Sequence, residues 1–529
     1  MTTRTGAQMP LKPDLIAVIG TTGVGKSQLG VELAQALSQR TSSPLVGEII
    51  NHDSMQCYKG LDVITNKATL GEMDGVPHHL MDFLEPGQEW GVTEFQRDAL
   101  NRIDELCARQ IVPICVGGTT YYLQNLIFPN QLVAQASESR PSSPTPLTHP
   151  RTTEDIASFP PSLQEAIKNL PEELSKLFFI LPALPQTSTP DDFPPNFPLS
   201  LLPPRLRSPD TLTPALYRLL QLLDPSSAER WHWRDVRKVR RALDIVWEGR
   251  RWEDVVKEQQ AKVNEGSRFR SLVFWLYADN DALHPRLDSR VDKMIERGLL
   301  DELDELWNIA QQSTGGSVDY SKGIYQAIGY KEFEPYLSAR HRNSTVDDAE
   351  LGRLFDQGVE NMKTATRQYA KRQVKWIKSK LLPAVHSLQD ADDVTVVLLD
   401  ASDLSLWEKN VSVPAIEYVN NFLDRHPLPD PLALSTNAAL HLAPPQAEDV
   451  KAKSKRACET CTRDEARPFM VEERQWDAHI KTKAHRVQVQ KRSGTSSRRR
   501  NEKTQRQENS DTGIDAVVEV ADDANIQSS

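Results

Sequence analysis

The chain has 529 residues, 26% of them charged, and a formal net charge of −10. That length accommodates several domains with a sizeable core, and no apolar run approaches the roughly 20 residues of a membrane-spanning helix. Five cysteines (Cys57, Cys107, Cys115, Cys458 and Cys461) are odd in number and the first three are scattered, which excludes a disulfide framework and fits a reducing compartment. The charge is uneven: Lys451 to Arg506 carries 17 Lys and Arg against 7 Asp and Glu, a basic tail on an acidic whole.

The N-terminal MTTRTGAQMPLKPD lacks an apolar signal core. Arg4 with no acid before Asp14 permits mitochondrial import, so cytoplasm, mitochondrion and nucleus stay open. Leu15–Ile19 reads as a buried strand and Ser27–Leu37 as a helix. Leu45–Ile50 and Ile111–Gly118 read as further parallel strands. Thr93–Ala108 reads as an amphipathic helix with Phe95, Leu100, Ile103 and Leu106 as its apolar stripe. Strands alternating with helices predict an α/β fold, a P-loop NTPase-like parallel sheet over residues 14–133. Residues 134–213 are Pro/Ser-rich around one short helix near Ser162–Leu177, and read as an inserted lid with disordered loops. Residues 214–410 are expected to complete the core with helices near 290–307 and 364–380 and strands at Val273–Ala278 and Val394–Asp400. A Pro/Ala-rich linker (426–450), a small Cys/His module (451–492) and a disordered tail (493–529) follow.

Between the first strand and helix, Gly20-Thr21-Thr22-Gly23-Val24-Gly25-Lys26-Ser27 spells G-x-x-x-x-G-K-S, a P-loop in its required strand–loop–helix setting. Its glycines let backbone N–H groups approach a polyphosphate, and the helix N-terminus favours the negative charge. Lys26 can reach the outer phosphate and Ser27 can hold Mg²⁺. Asp53, after the second strand, can support Mg²⁺ or act as a general base. His78 and His79 could form a metal pair, but packing and hydrogen bonding is the favoured reading. Cys57, Cys107 and Cys115 read as buried apolar residues.

Seven segments, in order, resemble the tRNA dimethylallyltransferase (tRNA isopentenyltransferase) family: GTTGVGKS, HDSMQCYKGLDVITNK, GVPHHLMDF, GGTTYY, DPSSAERWHWRDVRKVRRALDI, GIYQAIGYKEF and TRQYAKRQVKWIKSKLL. The resemblance covers roughly residues 14–130 and 214–382. It implies transfer of a dimethylallyl group from dimethylallyl diphosphate to N6 of adenosine 37, in the anticodon stem-loop of tRNA. The P-loop would then hold the donor's diphosphate rather than ATP. It implies Asp53 as the base that takes the amine proton, with Thr22 in the P-loop and Thr119 near the target base. Ser54, Met55 and Gln56 would receive that base, and Arg237 or Lys238 would contact the diphosphate. The family pattern at this last site differs from WRD-V-R-K, so both basic residues are carried. A monomer is the family expectation.

Two further features bear on RNA. Thr364–Lys380 has one face with Ala365, Tyr369, Gln373 and Trp376 and another with Arg367, Lys371, Lys375 and Lys378, suited to tRNA phosphates. Cys458, Cys461, His479 and His485 can close a tetrahedral Zn²⁺ site, and the gap between the pairs exceeds the roughly 12 residues of DNA-reading fingers. The segment resembles matrin or U1-type fingers, with Phe469 and Trp476 as its small core. Two competing readings remain on the sequence alone: a P-loop kinase of a nucleoside or metabolite, and an RNA-binding adaptor with a silent P-loop.

Overall fold

The structure is a computed structural model; it describes residues 12–41, 43–129, 155–184, 198–263, 266–314, 318–320, 322–342, 346–390, 392–444, 455–462, 464 and 468–492. Residues 1–11, residues 130–154 and 185–197 of the insertion's Pro/Ser-rich loops and the tail expected at 493–529 lie outside the described residues; residues 198–209 of the second loop, expected to be disordered, instead form turns at Leu199–Leu201 and Pro204–Leu206 with Leu202 and Leu206 buried. The chain divides into two compact units, 1–135 with 257–444, and 136–256 with 445–529.

The first unit is built on six strands: β1 (Asp14–Gly20), β2 (Val46–Asn51), β3 (His78–His79), β4 (Ile111–Val116), β5 (Arg270–Tyr277) and β6 (Val394–Asp400). They form one sheet in the order β3-β2-β4-β1-β5-β6, every pairing parallel. Val18 faces Val116 across β1 and β4, and Ile19 faces Trp275 across β1 and β5. Both sheet faces are covered, so the strands are apolar throughout rather than alternating. Pleating still sorts β1 by parity. Ile16 and Val18 join one core, with Leu29, Leu33 and Leu37 of α1 (Lys26–Ser38). Leu15, Ala17 and Ile19 join the other, with Phe95, Ile103 and Leu106 of α2 (Val92–Ala108) and Leu123 and Leu126 of α3 (Thr120–Ile127). Each such fully buried Leu or Ile contributes about 2 kcal/mol.

A third core lies beyond the sheet. There α4 (Asn280–Glu296), α5 (Leu299–Thr314) and α6 (Asp348–Trp376) pack Val291, Leu303, Leu306 and Met362 against Tyr58, Leu61 and Phe333. The single helix expected near 290–307 is thus two, and the one expected from Thr364 begins at Asp348, whose preceding residue Asp347 caps Glu350 N–H at 2.8 Å. At its far end α6 continues through a π-turn at Ile377–Leu381. The linker expected at 426–450 also differs. Thr436–Leu442 is a helix capped by Ser435, with Ala438 and Leu442 buried in the core that holds Trp275. A Pro/Ala-rich composition did not reveal that two small apolar side chains at helical spacing fill a groove on the sheet.

The second unit gathers Pro161–Lys168, Glu172–Ile180, Pro209–Leu223 and Val236–Trp247 around Leu177, Phe178, Leu219, Leu220, Leu243 and Val246. The insertion therefore extends to about residue 256, past the expected end at 213, and takes the WHWRDVRKVRRALDI segment with it. The Cys/His module adds an antiparallel pair, β7 (Lys455–Ala457) with β8 (Met470–Glu472), and helices at Trp476–Ile480 and Lys483–Arg492.

Candidate active site

In the first unit the loops at the carboxyl ends of β1, β2 and β4 surround a cavity of about 880 Å³. This is where an open parallel sheet binds ligands. Thr22, Gly23, Gly25, Lys26 and Ser27 line it. Gly20, Thr21 and Val24 do not line it: Val24 is buried in the sheet core, and the Thr21 carbonyl accepts a 2.7 Å hydrogen bond from Lys26 Nζ. Gly25 must be glycine twice over. Its φ is +88°, and a methyl group there would meet the Trp407 ring at 2.6 Å. Trp407 is itself anchored by donating from Nε1 to Glu32 Oε1 at 2.9 Å.

Across the cavity stands Asp53, with Ser54, Met55 and Gln56 beside it. The turn is fixed by its own side chains. The Asp53 N–H donates to Asn51 Oδ1 at 3.0 Å, and Met55 N–H donates to Asp53 Oδ1 at 3.0 Å. Asn51 Nδ2 in turn donates to the Leu80 carbonyl at 2.9 Å. One carboxylate oxygen is thereby held and the other, Oδ2, faces the turn after β4. A methyl group on Gly118 would lie 3.0 Å from it, so only glycine lets the two turns approach this closely. Thr119 sits on that turn, its Oγ1 accepting from Ser54 N–H at 3.2 Å and donating to Ser54 Oγ at 3.3 Å.

Two cations, Lys26 and Arg290, line the cavity with Asp53. Burial lowers Lys26 from 10.5 to about 8, against the opposing pull of Asp53, and neighbouring Arg290 lowers it further. Burial likewise lowers Arg290 to about 10, while Asp53 raises it. Arg290 belongs to α4 and lines the same cavity. The motifs did not single it out, although a signal exists: it lies three residues after Leu287 and four before Met294, on the buried stripe of its helix. Charge on an apolar stripe marks a paired or ligand-facing group. Tyr369 of α6 also faces the cavity, and burial raises its phenol above the ordinary range while Asp53 adds to the rise. His52 is fully buried behind Gly117, and burial, with Lys26 nearby, lowers it to about 4, so the ring stays neutral.

Other predicted site residues lie elsewhere. Arg237 and Lys238 belong to the second unit, exposed at the start of Val236–Trp247; Lys238 Nζ donates to Asp235 Oδ2 at 2.5 Å. On α6, Lys371 and Lys375 are exposed, whereas Arg367 is paired with Asp288. His78 and His79 form the edge strand. His79 Nε2 lies 2.6 Å from Glu48 Oε2 and His78 Nδ1 lies 2.8 Å from the Val76 carbonyl, as the packing reading expects. Cys57 and Cys115 are buried, which raises both thiols to about 12, and Cys107 is half-buried.

In the Cys/His module the four candidate ligand atoms lie within 4.8 Å of one another. Cys458 Sγ and Cys461 Sγ are each 3.5 Å from His485 Nδ1, Cys461 Sγ is 3.6 Å from His479 Nε2, and the two histidine nitrogens are 3.2 Å apart. A tetrahedron with Zn–S near 2.3 Å and Zn–N near 2.0 Å has edges of about 3.5 Å for S···N and about 3.3 Å for N···N. The separations therefore fit Zn²⁺, and so does the donor set. Phe469 departs from expectation. It is 49% exposed and stacks on His479; among the described residues of the module Cys458, Pro468 and Val471 are the buried ones.

A parallel sheet whose G-x-x-x-x-G-K-S loop faces a carboxylate across one cavity has the layout of a P-loop domain. More particularly, the chain belongs to the IPP transferase family, whose profile matches residues 56–176 and 200–380. It is 34% identical to the tRNA dimethylallyltransferase of Schizosaccharomyces pombe over 92% of this chain and 97% of that one. It is 30% identical to the tRNA dimethylallyltransferase of Homo sapiens, over 90% of this chain and 86% of that one. Among solved structures, a eukaryotic dimethylallyltransferase acting on tRNA superposes with a TM-score of 0.61 at 28% identity, covering 93% of this chain and all of that one. Among the described residues, no helix is long and apolar enough to cross a membrane.

Proposed function

We propose that the protein transfers the dimethylallyl group of dimethylallyl diphosphate to N6 of adenosine 37 of tRNA, next to the anticodon, and releases diphosphate. In this reaction the N6 nitrogen forms a bond to C1 of the isoprenoid as the C1–O bond to diphosphate breaks. The amine proton passes to Asp53. The observation that carries the reading is the facing of the P-loop and Asp53 across one cavity in a chain of this family.

An exocyclic amine is a weak nucleophile, so proton removal in the transition state contributes on the order of 10²–10⁴ in rate. Asp53 suits the task because its backbone turn is hydrogen-bonded on both sides while Oδ2 faces the turn after β4. Charge accumulating on the leaving diphosphate is met by the loop N–H groups, Lys26 and Arg290, groups already in place before reaction. Ser27 offers a hard oxygen donor to the same cavity, which fits Mg²⁺; when bound, that ion would supply further positive charge to the leaving group. Adenine reaches the cavity only after leaving its stack, at a cost of a few kcal/mol. Ser54, Met55 and Gln56, which line the cavity, would receive it; Gln56 Nε2 donates to the Asn66 carbonyl at 3.0 Å. The exposed Lys371 and Lys375 would track tRNA phosphates. The Cys/His module, loaded with Zn²⁺, would extend the RNA contact.

The test is incubation of purified protein with dimethylallyl diphosphate, Mg²⁺ and an anticodon stem-loop RNA carrying adenosine beside the anticodon. Mass spectrometry of the digested RNA should find one dimethylallyl group on that adenosine. An unmodified RNA, or protein that hydrolyses ATP in the same buffer, would replace this reading with the kinase one.

A further inference from the structure

Gln373 lies on α6 and is 6% exposed, a long polar side chain in an almost dry position. Both ends of its amide are used. Oε1 accepts the Thr22 N–H of the P-loop at 3.0 Å, and Nε2 donates to the Gly118 carbonyl at 3.0 Å. The amide thus spans the gap between the loop after β1 and the turn after β4. Gly118 makes the approach feasible, since a methyl group there would meet Gln373 Nε2 at 2.8 Å as well as Asp53 Oδ2 at 3.0 Å. The neighbours of Gln373 on the same helix face reinforce the docking: the Tyr369 phenol lies beside Thr119, and Trp376 Nε1 donates to Gln124 Oε1 at 3.1 Å. Among the described residues, Gln373 is the side chain whose hydrogen bonds join the two turns directly.

We infer that Gln373 is a positioning residue that sets the distance between the diphosphate loop and the turn beside Asp53. The diphosphate is held by one turn and the attacking amine is deprotonated beside the other. The reaction needs the carbon and nitrogen in line to within a fraction of an ångström, and misplacement by about 1 Å costs about 10²-fold. Either turn can bind its own partner without the brace. What the brace supplies is their mutual alignment, so its loss appears in kcat and not in KM. A glutamine fits where a charged residue would not. It must accept from one backbone group and donate to another, and a carboxylate or an ammonium can do only one of these. The inference rests on the P-loop and Asp53 being the reacting centre.

The experiment compares the unaltered protein with Gln373→Leu and Gln373→Glu, in the full chain, with dimethylallyl diphosphate and stem-loop RNA. Gln373→Leu removes both bonds at similar volume, and Gln373→Glu keeps an acceptor for Thr22 but loses the donor to Gly118. The expected result is a kcat at least about tenfold lower in Gln373→Leu, with both KM values within threefold and a melting temperature lowered by the loss of two buried hydrogen bonds but well above the assay temperature. Gln373→Glu should also lose kcat, and it carries the test if the leucine variant does not fold. A kcat within twofold of the unaltered protein in a folded variant would overturn the inference. So would a loss of rate that vanishes when activity is expressed per folded molecule. Inactivity of the unaltered protein would instead overturn the transfer reaction itself.

Discussion

Replacing Lys26 by methionine is expected to stabilise the unliganded protein while abolishing its use of dimethylallyl diphosphate. In the folded chain Lys26 is lowered from 10.5 to about 8, chiefly by burial. At about 1.4 kcal/mol per pH unit this is a penalty of about 3 kcal/mol for carrying the charge at neutral pH. Lys26 keeps some contact with the open cavity, so that figure is an upper bound. Methionine removes the penalty but also the 2.7 Å bond to the Thr21 carbonyl, worth about 1 kcal/mol. The net gain is therefore about 2 kcal/mol at most. The sign with pH follows from linkage. Below about 8 both folded and unfolded chains carry the proton and the penalty is complete. As pH rises from about 8 toward 10.5 the folded chain sheds it first, and the penalty fades. Calorimetric melting of both proteins without ligand should find Lys26→Met a few degrees more stable near pH 7 and nearly level near pH 9.5. Adding dimethylallyl diphosphate should raise the melting temperature of the unaltered protein alone. A variant that melts below the unaltered protein at pH 7, by an amount independent of pH, would show that the buried Lys26 charge carries no such penalty.

Asp53→Asn keeps the shape of the turn, with its carbonyl oxygen able to accept from Met55 N–H, but cannot take a proton; single-turnover transfer should fall by about 10²–10⁴ while donor binding by calorimetry stays within a few fold. Gly25→Ala faces two obstacles, a φ of +88° costing about 1–2 kcal/mol and the Trp407 ring at 2.6 Å. Adding Trp407→Ala should recover only the steric part of the lost donor affinity, and full recovery would mean the backbone is unstrained. Arg290→Gln should raise KM for the donor by about tenfold or more, the loss of one charge-assisted contact; an unchanged KM would remove Arg290 from the diphosphate site. Cys458→Ser, or chelation, should release one zinc per chain and weaken binding of full-length tRNA in a filter assay; metal content equal to that of the unaltered protein would exclude the four-ligand site.

The phosphate loop and the sheet were legible because each rests on local rules: a glycine pattern between an apolar run and a helical one, and period-two or continuous burial along strands. Asp53 was legible through its motif. Arg290 and Gln373 were harder, since both act through partners far away in sequence; Gln373 joins Thr22 and Gly118 from 351 and 255 residues away. Its face of the helix was visible in the spacing of Tyr369, Gln373 and Trp376, but the spacing alone reads as core packing. The short strand at His78–His79 was missed for a related reason. Two residues at a sheet edge carry no periodicity, and their place is set by pairing with Ile49 and Ile50. The boundary of the inserted unit was set too early because composition changes at its Pro/Ser-rich loops, while the apolar contacts that define it run on through Leu243 and Val246.

In the proposed reaction the P-loop holds a leaving diphosphate, and carbon, not phosphorus, is transferred. Dimethylallyl diphosphate labelled separately in its carbon chain and in its phosphates tests it most directly. With stem-loop RNA and Mg²⁺, the carbon label should enter RNA one-for-one with release of the phosphorus label as inorganic diphosphate, and Asp53→Asn should slow both together. Phosphorus label in the RNA, or diphosphate released without carbon entering RNA, would contradict the account.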